Sequence, residues 1–192
     1  MNEVMDCILS RRSIRRYRPE QIEEEKLEAI LRAGLYAPNA GSRQSAVIAV
    51  CQDARLSEEL GRINKAAYHG TVQEGYISRD QPSIADDQML PSGFYGAPVV
   101  LTLFAPRDMR FSTADCCTAA QNMMLAAHSL GVGSCMVGRA EDTFAGERGR
   151  QVQASWGIGE EYEAKMHLVL GYAASEKAAA KPRREHRVIR IP

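Results

Sequence analysis

Residues Ser112 to Gly138, which read STADCCTAAQNMMLAAHSLGVGSCMVG, are the most informative segment about how this chain folds. Apart from one Asp near its start it contains no acidic residue, Lys or Arg, although charged residues make up 25% of the chain. Ionised side chains are costly to place in low-dielectric surroundings, so we expect this segment to be buried. Ser112 or Thr113 can cap a helix, and Gly131 suits the position just after its end. The pattern therefore predicts a helix over about 113 to 130.

This helix carries apolar and small residues on every face rather than in one stripe, which is typical of a helix surrounded by protein. It is about 18 residues long, contains Gln, Asn, His and Ser, and is followed by glycines, which makes it a poor membrane span. Small residues at close spacing suit helix packing. Since one small domain offers limited surface to surround it, we place it in a core or at a subunit interface.

Length and charge limit the remaining possibilities. A chain of 192 residues is most simply one domain over residues 1–192. The 24 basic and 24 acidic residues argue against nucleic-acid binding through bulk charge. We recognise neither a secretory leader nor a membrane span, and the five cysteines have no CxxC spacing. These features predict a cytoplasmic protein with reduced thiols and without a membrane partner.

Hydrophobic periodicity predicts the other elements. Helices are expected over residues 2–10, from 22 to before Pro38, around 56–63 and over 144–156, and strands over 45–51, 98–105, 166–172 and 187–191. This mixed order favours an α+β fold over repeated βαβ units. Residues 68–95 have no regular pattern, which is typical of a lid, a binding loop or a disordered segment.

Five of the eight residues in RRSIRRYR, Arg11 to Arg18, are arginine. One interpretation is that Arg11 and Arg12 close the first helix against its dipole, while the other arginines are solvated. The alternative is an anion site, because guanidinium groups and the Ser13 hydroxyl can together hold a phosphate. Taken alone, the segment favours the first interpretation.

Six short motifs occur in the order and spacing of one known family. They are RRSIRRY (11–17), APNAGSRQ (37–44), GAPVV (96–100), AAQNMMLAAHSLGVGSCMVG (119–138), LGY (170–172) and KPR (181–183). With these motifs the chain resembles the nitroreductase family of FMN-dependent oxidoreductases. The resemblance implies an α+β fold with a mixed sheet flanked by helices, and a homodimer with the central helix in its interface. It also implies a C-terminal arm at about 174–192 that embraces the partner, and a substrate loop at about 68–95.

The resemblance also assigns cofactor-binding roles. Arg11, Arg12 and Ser13 would hold the FMN phosphate together with Lys181 and Arg183. Several cations and short donors around a dianion are chemically reasonable, so the phosphate interpretation of Arg11 and Arg12 now becomes the favoured one.

The flavin ring would contact other residues. Arg15 would lie near its pyrimidine edge, and the backbone N–H at Gly138 would approach flavin N5. The partner subunit would supply the other side of the ring with Asn39, Ala40 and Ser42, and Gln44 would also bind the cofactor. The family commonly has an NxQPW run where this chain has Ser42, Gln44, Ser45 and Ala46. Because Ser42 lacks a carboxamide, its flavin contact would be lost or bridged by water.

Other motifs give weaker interpretations. His69, Tyr76, Phe94 and Tyr95 could cover the flavin, or could simply pack within their loop. The glycines after the central helix do not form a dinucleotide fingerprint, because they follow a helix rather than a strand. The four histidines are isolated, so we expect no metal site.

The resulting hypothesis is an enzyme that takes hydride from NADH or NADPH through flavin N5 in a ping-pong cycle. The acceptor would be an electron-poor small molecule such as a nitroaromatic or a quinone. Since the flavin performs the redox step, no catalytic side chain is required. One alternative is a noncatalytic flavin- or nucleotide-binding sensor on the same scaffold. Another, which the neutral net charge disfavours, is nucleic-acid binding by RRSIRRYR and KPRREHR.

Overall fold

The computed structural model describes residues 2–68, 81–85 and 87–191. Within these ranges six helices form: α1 (Glu3–Ser10), α2 (Glu24–Leu35), α3 (Ala54–Ala66), α4 (Ser112–Ser129), α5 (Ala140–Ala145) and α6 (Glu147–Ser155). The same ranges contain four strands, β1 (Val47–Cys51), β2 (Val99–Pro106), β3 (Gly133–Val137) and β4 (Tyr162–Gly171), and a 3-10 turn at Ala40–Ser42. The predicted α+β class is confirmed.

The strands of this described part form one sheet in the order β1-β2-β4-β3. All three strand pairs are antiparallel. A parallel element is added by an isolated bridge between Ser13 and Ser134. The sheet is therefore mixed only through this bridge, which lays the arginine-rich segment along β3.

Both faces of the sheet are covered. On β2, Val99, Leu101 and Leu103 belong to a core shared with α2 and α4. Val100 and Phe104 point to a second core, which is shared with α3, α5 and α6. Successive side chains of a strand point to opposite faces, so a strand covered on both sides needs a continuous apolar run. The PVVLTLFA segment meets that need as predicted.

Helix α4 agrees with its prediction to within a residue, but its cap differs. Phe111 occupies the N-cap position without a side-chain cap, and the Ser112 hydroxyl donates instead to the Pro106 carbonyl. The prediction of a Ser or Thr cap is therefore wrong. Gly131 ends the helix at φ +76°, as expected of a residue in the left-handed region.

One face of α4 stays open in the single chain. Thr113, Ala114 and Gln121 are exposed, and Cys117 and Leu125 are half-buried. The predicted burial on every face is therefore not reached within one copy.

All five cysteines of the chain are unpaired. No helix of the described residues is long and apolar enough to cross a membrane.

Three other predictions need correction. The expected helix over 144–156 is two helices, α5 and α6, which are separated at Gly146. Strand β3 was not predicted, because its glycines were considered only as a possible dinucleotide fingerprint. Residues 187–191 form no strand in the described chain, where Val188, Ile189 and Ile191 are 80%, 84% and 87% exposed. Their alternation finds no strand to pair with within one copy.

The proposed substrate loop is only partly described. Residues 69–80 and 86, and with them His69 and Tyr76, lie outside the described residues. Phe94 is buried, and its ring contacts His167 edge-on at 4.7 Å between centroids. It is therefore a core residue rather than a cover for a ligand.

We expect Gly149→Ala to destabilise the protein. A Cβ at this position would lie 2.5 Å from both the Phe144 Cα and the Thr143 carbonyl oxygen, and backbone atoms of α5 cannot move aside cheaply. The overpacking should cost about 2 kcal/mol in the free energy of unfolding. Urea unfolding followed by circular dichroism measures it.

Gly146→Ala is the matched control, since a Cβ there meets nothing within 4 Å and the φ of −74° suits alanine. It should cost less than about 1 kcal/mol. Equal losses for the two variants would contradict the proposed close contact between α5 and α6.

Candidate cofactor-binding site

A pocket of about 380 Å³ gathers the arginines of the first segment and the late basic residues. Its lining consists of Arg11, Arg12, Ser13, Arg15, Gln81, Ser83, Ala178, Ala179, Ala180, Lys181 and Arg183. Six of the residues that the sequence nominated are therefore brought together, although more than 160 positions separate the two groups along the chain. We call this cavity the arginine pocket. No acidic residue lines it within the described part of the chain.

The arginine pocket is built by an extended segment that follows α1. The Ile14 side chain is 2% exposed, and its N–H donates to the Ser134 carbonyl at 2.9 Å. Because side chains alternate along an extended backbone, burying Ile14 turns Ser13 and Arg15 to the opposite side, where both line the pocket. One apolar residue thus sets the direction of the polar residues beside it.

Arg12 agrees with both interpretations of its segment, closure of the first helix and binding of an anion. Its Nη1 donates to the Leu9 carbonyl at 2.8 Å, which helps to close the C-terminus of α1. Its Nε, by contrast, is buried and finds no hydrogen-bond partner among the residues that the structure describes. The same side chain can therefore end a helix and present a donor to a ligand.

Four donors around this region lack partners within the described residues. They are Arg11 Nη1, Arg12 Nε, Arg15 Nε and Ser134 Oγ, all of them buried. A buried donor without an acceptor costs about 1–3 kcal/mol, and more when it is charged. An anion with several acceptor oxygens would satisfy such a set through charge-assisted bonds. The donors present therefore fit a phosphate group.

Gln81 ties three parts of the arginine pocket together. Its Oε1 accepts a hydrogen bond from the Arg15 N–H at 2.5 Å, and its carbonyl accepts from Arg15 Nη1 at 3.2 Å. Its Nε2 donates to the Ser175 hydroxyl at 2.6 Å. The side chain is 1% exposed. The sequence did not single out Gln81, because it lies in a stretch without periodicity.

The arm beyond Ser175 is held near the pocket through His128. Lys177 Nζ lies 3.4 Å from His128 Nδ1, and the Ser10 hydroxyl lies 2.8 Å from His128 Nε2. Burial, together with the charges of Lys177, Arg11 and Arg12, lowers the pKa of His128. The ring therefore favours its neutral form, which can accept from Lys177.

The other nominated residues lie elsewhere. Asn39 and Gln44 line a separate pocket of about 150 Å³, where the Gln44 N–H donates to Asn39 Oδ1 at 2.9 Å. The Ala40 N–H donates to Asp115 Oδ1 at 3.0 Å. Ser42 is exposed, has a φ of +52° and lines neither pocket. One copy of the chain does not bring this group to the arginine pocket.

Asp115 is a second residue that the sequence analysis missed, because it was assigned only to the first turn of the central helix. Its Oδ1 fixes the Ala40 backbone, while its Oδ2 is buried without a partner in the described chain. A polar side chain at the start of a charge-poor helix is the signal that could have identified it.

Gly138 lies at the end of β3, four residues beyond Ser134, a separation of about 13 Å along a strand. It is exposed, and a Cβ on it would meet nothing within 4 Å. Its carbonyl accepts from Asn64 Nδ2 at 2.8 Å. Strand β3 therefore connects the edge of the arginine pocket to an open backbone position.

A buried polar network supports this end of β3. Asn64 Nδ2 also donates to Thr143 Oγ1 at 3.0 Å, and Thr143 Oγ1 lies 3.2 Å from His167 Nε2. On its other side, His167 Nδ1 lies 2.9 Å from Thr102 Oγ1. Burial, and to a lesser extent the charge of Arg139, lowers the pKa of His167 to about 3. His167 is therefore neutral in the folded protein.

Comparison with known proteins identifies a family. The nitroreductase family model matches residues 8–172. A relative from Archaeoglobus fulgidus, named NADH dehydrogenase/NAD(P)H nitroreductase, is 30% identical over 181 residues, which are 92% of this chain and 89% of that protein. Crystal structures of nitroreductases with bound FMN from Bacteroides fragilis and Desulfitobacterium hafniense match at 26% and 28% identity. Both have a TM-score of 0.83 over 100% of each chain.

We expect His167 to make the stability depend on pH. An unfolded histidine binds a proton below a pKa near 6.5, but the buried ring does not until a pKa of about 3. The unfolded state thus binds more protons between these values, and stability falls as pH is lowered through them. The slope attributable to this group is up to about 1.4 kcal/mol per pH unit.

Urea unfolding between pH 7.5 and 4.5 tests this prediction. His167→Gln should be less stable at pH 7.5 but should lose less stability on acidification than the native protein. His186→Gln, at a fully exposed histidine, should follow the native curve. Parallel curves for all three proteins would contradict the assignment.

Proposed function

We propose that this chain, which belongs to the nitroreductase family, is an FMN-dependent oxidoreductase. It would transfer electrons from NADH or NADPH to an electron-poor small molecule. The observation that carries the proposal is the arginine pocket. Basic side chains from both ends of the chain line it, and unpartnered donors are buried around it. This arrangement supports a resident phosphate-bearing cofactor.

The phosphate would be held by Arg11, Arg12 and Ser13, with Lys181 and Arg183 from the arm. Its oxygens would accept from the buried donors of Arg11 and Arg12, whose desolvation is otherwise uncompensated. Ser134 adds a short hydroxyl donor at the start of β3. Since the lining has no carboxylate in the described residues, nothing there competes with the phosphate for these cations.

When bound, FMN supplies hydride acceptance from the nicotinamide and electron transfer to the acceptor. The chain contributes position and charge. Arg15, whose N–H is fixed by Gln81, keeps a positive charge beside the pocket. Gly138 leaves the end of β3 free of a side chain, so that its backbone N–H can approach a bound ring. No nucleophilic side chain is required for this chemistry.

A homodimer would complete the site. The open face of α4 carries no charged side chain beyond its first turn, and exposed apolar side chains occur on α1, with Val4 65% and Leu9 53% exposed. Apolar side chains of the arm are also exposed. Two copies joined through these surfaces would bury them. The partner could then supply Asn39, Ala40, Ser42 and Gln44, which one copy leaves away from the arginine pocket.

We expect Arg12→Gln to weaken FMN binding by about tenfold or more, because it removes a charged donor from a dianion. Fluorescence titration of the apoprotein with FMN measures the dissociation constant. Arg62→Gln removes the same charge from the exposed surface of α3 and is the matched control. Equal affinities of the two variants would contradict the phosphate assignment.

The activity test combines a visible spectrum with NAD(P)H oxidation. We expect the purified protein to show flavin absorbance, and to oxidise NADH or NADPH when nitrofurazone or menadione is present. Size-exclusion chromatography with light scattering should give twice the mass of one chain. Bound flavin without turnover would favour a flavin-binding sensor. A colourless monomer that does not bind added FMN would contradict the proposal.

A further inference from the structure

Arg139 occupies a special backbone position directly after Gly138. Its φ of +61° and ψ of +33° lie in the left-handed region, which residues with a side chain adopt at a cost. The Arg139 carbonyl accepts from Thr143 Oγ1 at 2.7 Å and from Asn64 Nδ2 at 3.3 Å. The buried polar network thus holds the backbone that directs this side chain.

The guanidinium of Arg139 contacts neutral groups. Its Nη2 donates to Asn64 Oδ1 at 3.2 Å, and its central carbon lies 4.9 Å from the centre of the Tyr68 ring. Among the residues that the structure describes, no carboxylate forms an ion pair with it. Its Nη1 is buried and has no hydrogen-bond partner within residues 2–68, 81–85 and 87–191. A half-buried cation with an unused donor is a favourable position for an anion.

Arg139 directly follows Gly138, the residue whose backbone N–H is proposed to approach the flavin ring. Burial raises the pKa of Tyr95, and the positive charges of Arg15 and Arg139 oppose that rise. Arg139 is not part of the arginine pocket lining, so its charge is available beside Gly138 rather than for the phosphate.

We propose that Arg139 is a specificity-determining residue that binds a carboxylate or similar anionic group on the electron acceptor. This inference rests on the proposed function and adds a substrate class to it: electron-poor aromatic compounds that carry a negative charge. Asn64 is a positioning residue, because its Oδ1 accepts a hydrogen bond from Arg139 Nη2, and Arg139 Nη1 can then donate to the ligand. The anion would supply the acceptor that Nη1 lacks.

A pair of acceptors that differ in charge tests the inference. The FMN-loaded protein is assayed with 4-nitrobenzoate and with the neutral, nearly isosteric 4-nitrobenzamide. Arg139→Gln should lower kcat/KM for 4-nitrobenzoate by about tenfold and leave that for 4-nitrobenzamide within about twofold. Arg139→Lys should retain part of the preference, because it keeps the charge but not the planar fork. Arg62→Gln controls for the loss of one charge.

Binding without turnover gives a second measurement. Calorimetric titration of benzoate into the FMN-loaded protein should show binding to the native chain and to Arg62→Gln, and at least about tenfold weaker binding to Arg139→Gln. Flavin content and circular dichroism verify that each variant is folded and loaded. If Arg139→Gln fails to fold, Arg139→Lys against the native protein provides the comparison.

The outcomes separate the inference from the function on which it rests. Equal losses for the charged and neutral acceptors, or no loss for either, would overturn the anion site while the oxidoreductase stands. Absence of benzoate binding to the native protein would also overturn it. If neither acceptor is reduced but benzoate binding depends on Arg139, the proposed function fails and the anion site stands.

Discussion

The structure depends on the pairing of residues 13 and 14 with β3. The guanidinium groups around the arginine pocket repel each other, so other interactions must stabilise their arrangement. This stabilisation comes from burying Ile14 and from its backbone hydrogen bond to Ser134. Alternation along the extended segment then directs Ser13 and Arg15 into the cavity. The position of the cations is thus set by an apolar contact and a backbone bond rather than by ion pairs.

The sequence predicted elements whose own residue pattern reflects their surroundings. Strand β2 is covered on both faces, and its continuous apolar run reflects that directly. Strand β3 was missed, because its glycine is required by a neighbour that is distant in sequence. A Cβ at Gly133 would lie 2.9 Å from an Ile14 side-chain atom. The small residue allows the arginine segment to approach, which local pattern reasoning cannot detect.

The residues of the candidate site likewise include some that the sequence predicted and some that it did not. Motif resemblance nominated Arg11, Arg12, Lys181 and Arg183, and these residues line one pocket. Gln81, Asp115 and Arg139 were not nominated, because their importance comes from hydrogen bonds or unpaired atoms that depend on the tertiary structure. A single sequence contains no signal for an unsatisfied buried donor. Asn39 and Gln44 lie away from the arginine pocket, and one face of α4 is open. The proposed homodimer would account for both observations.

The buried polar network below Gly138 consists of uncharged side chains. Thr143 Oγ1 donates to the Arg139 carbonyl, so it accepts from His167 Nε2. Because the lowered pKa keeps the ring neutral, its Nδ1 is unprotonated and accepts from the Thr102 hydroxyl. Asn64, Thr102, Thr143 and His167 are therefore all uncharged. Within the part of the chain that the structure describes, Arg139 keeps its positive charge without a carboxylate partner, which is what the proposed acceptor site requires.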